Sequence, residues 1–192
     1  MSYKVFILDF DGIITSLNIN WSKVRKEASK IAGFKIPSLI KFFENNFGTE
    51  LFLKVSKLVE KYEIIAIKDA KPYPDVKRSL EVLTNLGKVI FLATMQATNP
   101  VITFLKKYDL NKYFKKILTR DMFRSKKDQL KYVLENINLP SKTVVFIDDS
   151  HHNFEICKKL ELECILLEQR SNYSLYEVVA NLLHLPESNL TR

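Results

Sequence analysis

Four short apolar runs, each followed by a polar residue, constrain the fold of this chain more than any other feature. Runs of this length that are rich in β-branched and aromatic residues are typical of strands buried on both faces of a parallel sheet. The sequence therefore predicts such a sheet at the centre of the molecule. The runs are Lys4–Leu8, Val89–Ala93, Thr143–Ile147 and Cys164–Leu167, with a weaker one at Lys116–Leu118.

Helical patterns separate these runs. In the first of them, Val76, Leu80 and Leu83 recur at the spacing of one helix face, and Gly87 follows as a C-terminal stop signal. Strands that alternate with helices form right-handed βαβ units, so we expect an α/β fold with a Rossmann-like, doubly wound parallel sheet. The predicted helices of this part cover residues 75–86, 99–108, 128–137, 153–160 and 176–183.

One stretch interrupts the alternation. Between Ser16 and about Ala70 no strand is predicted, and three helical patterns follow one another instead. We therefore expect a small all-helical cap at residues 16–70, inserted after the first strand, and a Rossmann-like core formed by residues 1–15 and 71–192. The three cap helices are predicted at Ser22–Ala32, Pro37–Asn45 and Thr49–Tyr62.

Composition and charge exclude several classes of protein. The apolar fraction of 46% and the charged fraction of 27% are ordinary for a globular chain and argue against disorder. The net charge of +8 is spread over scattered basic pairs, so we expect a solvated basic surface and consider a nucleic-acid partner unlikely. No apolar run approaches the ~20 residues that span a bilayer, and residues 1–8 show no secretory signal. We expect a cytoplasmic protein without a membrane partner.

Cysteine usage adds one further expectation. Cys157 and Cys164 are the only two cysteines, which excludes a disulfide-rich scaffold, and they do not form a C-x-x-C pair. We expect both to be buried packing residues.

Residues with catalytic potential follow the apolar runs. Ligands of doubly wound sheets bind beyond the carboxyl ends of the strands, so these residues are expected to lie close together. Lys126 and Lys127 stand at the start of a predicted helix between the second and third runs. The strand-end residues are Asp9, Asp11 and Gly12 after the first run, Thr94 after the second, and Asp148, Asp149 and Ser150 after the third.

Such a group of carboxylates favours metal binding and the transfer of a phosphoryl group. Clustered carboxylates repel one another, and a Mg²⁺ ion, which prefers hard oxygen ligands, relieves the repulsion. A phosphate held between the ion and a lysine would be open to attack by Asp9 as a carboxylate nucleophile. Asp11 could protonate the leaving oxygen and later activate water. Thr94 and Lys126 or Lys127 would bind phosphate oxygens.

These motifs, in this order, resemble those of the haloacid dehalogenase (HAD) superfamily. The family form D-x-D-G followed by apolar residues is matched by residues 9–14, and the acidic pair after a later strand by residues 148–149. Thr94 matches the Ser/Thr that ends the second strand, and Lys126 or Lys127 matches the lysine before a helix. The spacings are typical of the phosphoglycolate-phosphatase-like branch, whose helical cap the inserted helices resemble.

The resemblance implies a role for each residue. Asp9 is the nucleophile that forms an aspartyl-phosphate and a metal ligand, and Asp11 is the acid/base whose backbone carbonyl also binds the metal. Asp149 is the remaining protein ligand of Mg²⁺, and Asp148 lies beside the ion or reaches it through water. Thr94 binds the substrate phosphate, together with one of the two lysines.

The chain departs from the family pattern at four positions. Ile13 stands where Thr is usual, Met95 where Asn is usual, Asp148 where Gly is frequent, and Asn153 where an acid is usual. These departures affect subfamily placement more than the catalytic residues. Counting back from Leu130 favours Lys126 over Lys127, and both remain candidates.

This interpretation of the motifs favours a Mg²⁺-dependent phosphatase that acts on a small phosphorylated metabolite, with phosphoglycolate as one candidate substrate. Asp11 argues against a dehalogenase, which needs neither a second aspartate nor a metal. The alternatives are a non-catalytic or weakly active binding or regulatory protein on the same scaffold, a phosphomutase, and a nucleic-acid end phosphatase. A monomer and a homodimer are both compatible with the sequence.

Other residues near the motifs are not assigned a catalytic role. His151 and His152 are not expected to bind a metal, because Mg²⁺ sites rarely use imidazole. Asn18, Asn20 and Arg25 are open as substrate contacts. One or two cap aromatics could face the cleft while the others form the cap core; they are Trp21, Phe42, Phe43, Phe47 and Phe52.

Overall fold

A five-stranded, all-parallel sheet lies at the centre of the molecule. The computed structural model describes residues 3–168 and 174–185. Its strands are β1 (Val5–Leu8), β2 (Val89–Ala93), β3 (Lys116–Leu118), β4 (Val144–Asp148) and β5 (Glu163–Leu166). They are arranged in the order β3-β2-β1-β4-β5. The predicted α/β fold with a Rossmann-like, doubly wound sheet is confirmed, and each strand lies within one residue of its predicted position.

Helices cover both faces of the sheet. Alternate residues of β1 point to opposite sides, and each pair packs into an apolar cluster with the helices of that side: Phe6 and Leu8 into one cluster, Val5 and Ile7 into the other. None of the helices that the structure describes is long and apolar enough to cross a membrane. The helices are α1 (Trp21–Ala32), α2 (Leu39–Asn46), α3 (Glu50–Asp69), α4 (Val76–Asn85), α5 (Thr98–Lys107), α6 (Lys126–Asn136), α7 (His151–Lys158) and α8 (Leu175–Leu182).

The strand register places the candidate catalytic residues at one edge of the sheet. Leu8 of β1 pairs with Leu92 of β2 on one side and with Ile147 of β4 on the other. The backbone N–H of Asp9 donates to the carbonyl of Ile147 over 3.1 Å. Asp9 and Asp148 therefore come level at the carboxyl ends of adjacent strands, where a doubly wound sheet binds its ligand.

Helices α1, α2 and α3 form a unit with an apolar cluster of its own. Each begins at a residue whose side-chain oxygen accepts a backbone N–H of the first turn, namely Asn20, Ser38 and Thr49. The cluster contains Phe42, Phe43 and Phe52 among other residues of the three helices. Such a cluster is what a cap at residues 16–70 requires, and the boundaries of that cap stay a prediction.

Helix α3 is longer than the sequence pattern predicts. It runs on past Tyr62 to Asp69, and Glu63 and Ile67 in the added turns are buried. The buried charge of Glu63 is paired with Arg120 of the core at 2.8 Å. That partner is distant in the sequence, so the pattern around Glu63 gives no sign that the helix continues.

The cysteines differ from the expectation. Cys157 near the end of α7 and Cys164 in β5 form a disulfide, with Cα atoms 6.1 Å apart. Both side chains pack in an apolar cluster as expected, with Cys157 buried and Cys164 half-buried, but the disulfide between them was not predicted. The return from α7 into the neighbouring strand brings the two side chains together, which their spacing in the sequence does not reveal.

Candidate active site

Lys126 lies at the centre of a buried charge cluster. Its ammonium group is 2.7 Å from Oδ1 of Asp9 and 3.3 Å from Oδ2 of Asp148, and it donates to the carbonyl of Ala93 at 2.5 Å. Only 2% of Lys126 and 7% of Asp9 is exposed. The Lys126 ammonium group, at the start of α6, thus contacts the ends of three strands, β1, β2 and β4.

Burial sets the ionisation of this cluster. Removal from water raises the pKa of the Asp9 carboxyl to about 7, because the opposing attraction of Lys126 is smaller and the charge of Asp148 adds to the rise. For Lys126, burial alone lowers the pKa, but the two carboxylates outweigh it and hold the pKa above its usual value. A further positive charge near Asp9 would favour its ionised form.

Asp11 lies in the turn that follows β1 and is held by the backbone. Its Oδ1 accepts the N–H of Leu17 over 2.8 Å, which orients the carboxyl group. Burial raises the pKa of Asp11 to about 6, the Leu17 hydrogen bond opposes this rise, and the charges of Asp149 and Glu63 add to it. A carboxyl group with this pKa can both donate and accept a proton near neutral pH.

The two aspartates at the end of β4 have different surroundings. Asp148 is buried, and it accepts from the N–H of Ser150 at 2.8 Å and from the side-chain amide of Asn153 at 3.0 Å and 3.2 Å. Asp149 is only half-buried and lines the cleft, and burial together with the charge of Asp148 raises its pKa. Asp148 therefore supports Lys126, whereas Asp149 presents its carboxylate to the cleft.

Three of these carboxylates fit a divalent cation. Asp9, Asp148 and Asp149 each offer an oxygen, and the three oxygens lie within 4.8 Å of one another. Oxygen donors of this kind are those that Mg²⁺ prefers. Gly12 makes the room, since a Cβ at this position would overlap the Asp149 carboxylate. The Asp11 carboxylate is not part of this group of oxygens.

The two candidate lysines are separated by the structure. Lys126 is in the cluster, whereas Lys127 is exposed and does not line the cleft. Successive residues of a helix point about 100° apart, so α6 can direct only one of them at the strand ends. Ser125 caps α6 directly before Lys126, with its hydroxyl accepting the N–H of Asp128. Lys127 is thus not brought into the site.

Thr94 lies at the expected strand end but turns away from the cleft. The residue is fully buried, and its hydroxyl donates to the side-chain carbonyl of Gln96 in a short contact. The buried amide of Gln129 donates to the Thr94 carbonyl over 2.7 Å. Of this segment, Met95 and Gln96 line the cleft instead. No sequence signal identified Gln96 or Gln129.

The cleft itself lies between the strand ends and α2. It has a volume of about 360 Å³, and Ser38, Ile40 and Lys41 line it from the start of α2. Of the histidines, His152 reaches its edge, whereas His151 is 2.8 Å from the carboxylate of Glu168 on the surface. Neither histidine belongs to the group of possible metal ligands in the described part of the chain.

The comparison with protein families agrees with this geometry. Residues 6–167 match the family model described as haloacid dehalogenase-like hydrolase. The chain belongs to this family. The matched range begins in β1 and ends just after β5, so it contains the five described strands except for Val5, together with the whole candidate site of this HAD-like chain.

Individual relatives are distant. A phosphoglycolate phosphatase from Pseudomonas savastanoi pv. phaseolicola is 24% identical over 129 residues, which are 66% of this chain and 45% of the relative. The chain therefore spans about half the length of the curated relatives that it matches.

Solved structures share the fold of this HAD-like chain. CbbY from Rhodobacter sphaeroides, in complex with phosphate, has a TM-score of 0.67 and 13% identity, with 96% of this chain and 100% of that chain covered. A haloacid dehalogenase-like family hydrolase from Streptococcus pneumoniae has a TM-score of 0.65 and 16% identity, with 93% and 98% covered.

Proposed function

We propose that this chain is a Mg²⁺-dependent phosphatase that hydrolyses a small phosphomonoester through an aspartyl-phosphate on Asp9. The observation that carries the proposal is the meeting of the Asp9, Asp148 and Asp149 carboxylate oxygens within 4.8 Å, beside a buried lysine and an open cleft. The curated phosphoglycolate phosphatases to which the chain is similar support the same reaction class.

The metal would be held by Asp9 and Asp149, with Asp148 beside it. When bound, Mg²⁺ supplies positive charge that offsets the crowded carboxylates and polarises a phosphate oxygen. The half-buried Asp149 provides an open side towards the cleft, where the ion's remaining ligands would come from the substrate and from water.

Asp9 is the residue placed to attack phosphorus. Its Oδ1 accepts the 2.7 Å hydrogen bond from Lys126, which holds the carboxylate in place and favours its ionised form against the effect of burial. In the first step an oxygen of Asp9 bonds to phosphorus, and the bond from phosphorus to the leaving oxygen breaks. In the second step a water oxygen bonds to phosphorus, the bond to Asp9 breaks, and inorganic phosphate leaves.

Asp11 is the residue placed to move protons. It donates its proton to the leaving oxygen in the first step and takes a proton from the attacking water in the second. Its pKa of about 6 suits both directions of transfer, and its hydrogen bond to Leu17 keeps the carboxyl in one orientation.

Lys126 and Gln96 are the side chains best placed to bind the phosphate from the core. Both line the cleft, whereas the Thr94 hydroxyl is buried against Gln96. Thr94 thus stays a proposed phosphate contact only if this hydroxyl turns on binding.

A cytoplasmic location of the reaction stays a prediction. The Cys157–Cys164 disulfide argues against it, because disulfides are rare in reducing compartments.

The first experiment replaces the nucleophile. We expect Asp9→Asn to abolish the hydrolysis of p-nitrophenyl phosphate in the presence of Mg²⁺, because an amide cannot form the covalent intermediate. The matched control is Lys127→Ala, an exposed residue outside the cleft, which should retain wild-type kcat/KM. Release of p-nitrophenol is followed by absorbance.

Two results would contradict the proposal. One is substantial turnover by Asp9→Asn, which would exclude a covalent role for this carboxylate. The other is full wild-type activity in excess EDTA, which would exclude a function for a divalent cation. Circular dichroism of both variants shows whether loss of activity reflects loss of fold.

A further inference from the structure

A second cavity adjoins the catalytic cleft on the side of the cap. It has a volume of about 270 Å³ and lies between α1, α2 and α3 of the cap and the segment that follows β2. Four residues line both cavities and join them: Ser38, Ile40, Met95 and Gln96. A substrate whose phosphate lies beside Asp9 would therefore extend its leaving group into this cavity.

We propose that this cavity binds a ring-containing, apolar leaving group that carries an acidic substituent, and that Arg25 recognises the acidic group. The inference rests on the proposed phosphatase function, because it assigns the part of the substrate that is released when the phosphate is transferred to Asp9.

The walls of the cavity are mainly apolar. Two aromatic side chains, Trp21 of α1 and Phe43 of α2, line it together with aliphatic residues. A flat ring gains free energy by packing against such surfaces, since aromatic pairs interact favourably beyond the area that they bury. The aliphatic residues and methionine of the wall are Pro37, Leu39, Ile40, Val59 and Met95.

Two arginines line the same cavity, but only one has charge available for a ligand. The guanidinium of Arg120 makes two hydrogen bonds to the Glu63 carboxylate, at 2.8 Å and 3.1 Å, and also donates to Ser56 and to the carbonyl of Met95. Its charge is therefore neutralised within the protein. It serves as a rigid part of the wall, with Phe43 packed over it at 4.7 Å from the ring centroid.

Arg25 is different. Its side chain is half-buried in the cavity wall, and within residues 3–168 and 174–185 its guanidinium has no hydrogen-bond or ion-pair partner. In the part of the chain that the structure describes, no acidic residue lines the cavity. A half-buried guanidinium without a partner favours an anionic ligand group, for which it offers a planar array of donors.

The size of the cavity argues against a two-carbon leaving group such as glycolate. Its 270 Å³ corresponds to the volume of about nine water molecules in the liquid. Glycolate would contact Arg25 or the neighbourhood of Asp9 but leave the aromatic walls uncovered. A ring with an acidic substituent covers the walls and reaches the arginine at once.

The kinetic test uses two substrates of the same shape whose main difference is the charge of the ring substituent. In 4-carboxyphenyl phosphate the ring carries an acid, and in 4-carbamoylphenyl phosphate it carries an uncharged amide of the same shape. We expect the wild-type kcat/KM to be about tenfold higher for the acid, as one charged hydrogen bond would give. The kcat/KM for 4-carboxyphenyl phosphate should also exceed the kcat/KM for 2-phosphoglycolate.

Arg25→Gln and Lys26→Gln form a matched pair of variants on α1. Lys26 is exposed and does not line this cavity. We expect Arg25→Gln to remove the preference for the acid while retaining activity on the amide, and Lys26→Gln to keep the wild-type preference. Equal kcat/KM for the two ring substrates in the wild type, or an unchanged preference in Arg25→Gln, would overturn the inference.

A binding measurement separates this inference from the proposed function. Trp21 is the only tryptophan of the chain, so its fluorescence reports directly on the cavity. We expect 4-hydroxybenzoate to change this emission saturably in the wild type, with weaker binding of 4-hydroxybenzamide and in Arg25→Gln. Binding without turnover of any phosphate ester would contradict the phosphatase alone. Turnover without a fluorescence response would contradict the ring-binding cavity alone.

Discussion

At the scale of single residues, Gly12 shows how closely the site is packed. It has a positive φ of 90°, a conformation that side chains other than glycine adopt at a cost. It also lies directly beneath the carboxylate of Asp149. The position therefore needs glycine for two reasons, and only the second concerns the chemistry of the site.

A pair of glycine substitutions distinguishes these reasons. In Gly12→Ala the new methyl group would displace the Asp149 carboxylate, so we expect activity with Mg²⁺ to fall about 10- to 100-fold. Gly87 also has a positive φ, of 65°, but a Cβ there meets no atom within 4 Å. We expect Gly87→Ala to cost about 1 kcal/mol in stability and to leave kcat/KM unchanged.

The measurements are steady-state kinetics over a Mg²⁺ titration and thermal unfolding of both variants. An active Gly12→Ala protein with wild-type Mg²⁺ dependence would mean that Asp149 does not hold the ion. An inactive Gly87→Ala would mean that the two substitutions act through backbone strain alone.

At the scale of secondary-structure elements, α3 joins the unit of α1, α2 and α3 to the part of the fold that contains the sheet. Glu63 accepts hydrogen bonds from Arg120 and, at 3.1 Å, from the N–H of Ala97. Towards the end of the helix, the carbonyl of Ala70 accepts from the hydroxyl of Tyr108 at 2.8 Å. These contacts join α3 to the segments that follow β2 and β3. A buried ion pair is thus one of the contacts that hold this helical unit against the rest of the fold.

Removing one partner of this pair should be costly. In Glu63→Gln the charge of Arg120 stays buried without a counter-ion, so we expect a loss of about 3 to 5 kcal/mol of unfolding free energy. The control is Glu50→Gln, which removes the charge from the exposed Lys54–Glu50 pair of the same helix. That variant should unfold like the wild type.

Urea denaturation at 25 °C measures both variants. A Glu63→Gln protein as stable as the wild type would show that the buried pair contributes no net stability. In that case the attachment of α3 to the core would have to come from its apolar contacts.

At the scale of the whole molecule, the excess of positive charge does not converge on the cleft beside Asp9. The net charge is +8, yet the basic residues that line the cleft are Lys41, the buried Lys126 and His152 at its edge. Lys126 is already paired with two carboxylates. A polyanion would find no continuous basic track leading to Asp9 among the residues that line the cleft.

This arrangement predicts a preference for small substrates. We expect a 5′-phosphorylated oligonucleotide to release no phosphate above background, and not to inhibit the hydrolysis of p-nitrophenyl phosphate at 150 mM salt. Phosphate release is measured by a colorimetric assay at that salt and at 20 mM. Efficient hydrolysis of the oligonucleotide, weakening steeply with salt, would instead indicate a nucleic-acid end phosphatase.

Much of the fold could be predicted because its signals are local. The strands follow from short apolar runs, and the convergence of Asp9 and Asp148 follows because adjacent parallel strands end at one edge. Pairings that depend on tertiary contacts had no such signal. The Arg120–Glu63 pair joins residues 57 positions apart, and the Cys157–Cys164 disulfide depends on how α7 turns back into β5.

The sequence by itself determined the order in which strands and helices follow one another along the chain. It also determined the set of carboxylates at the strand ends, since both depend on residue type and periodicity. Only the tertiary structure decided that Lys126 rather than Lys127 enters the site and that Thr94 turns its hydroxyl to Gln96. It also decided that, of the two cavity arginines, Arg120 is paired with Glu63 while Arg25 has no counter-ion among the described residues. These outcomes depend on the rotation of helices and on contacts between distant segments, which no local pattern encodes.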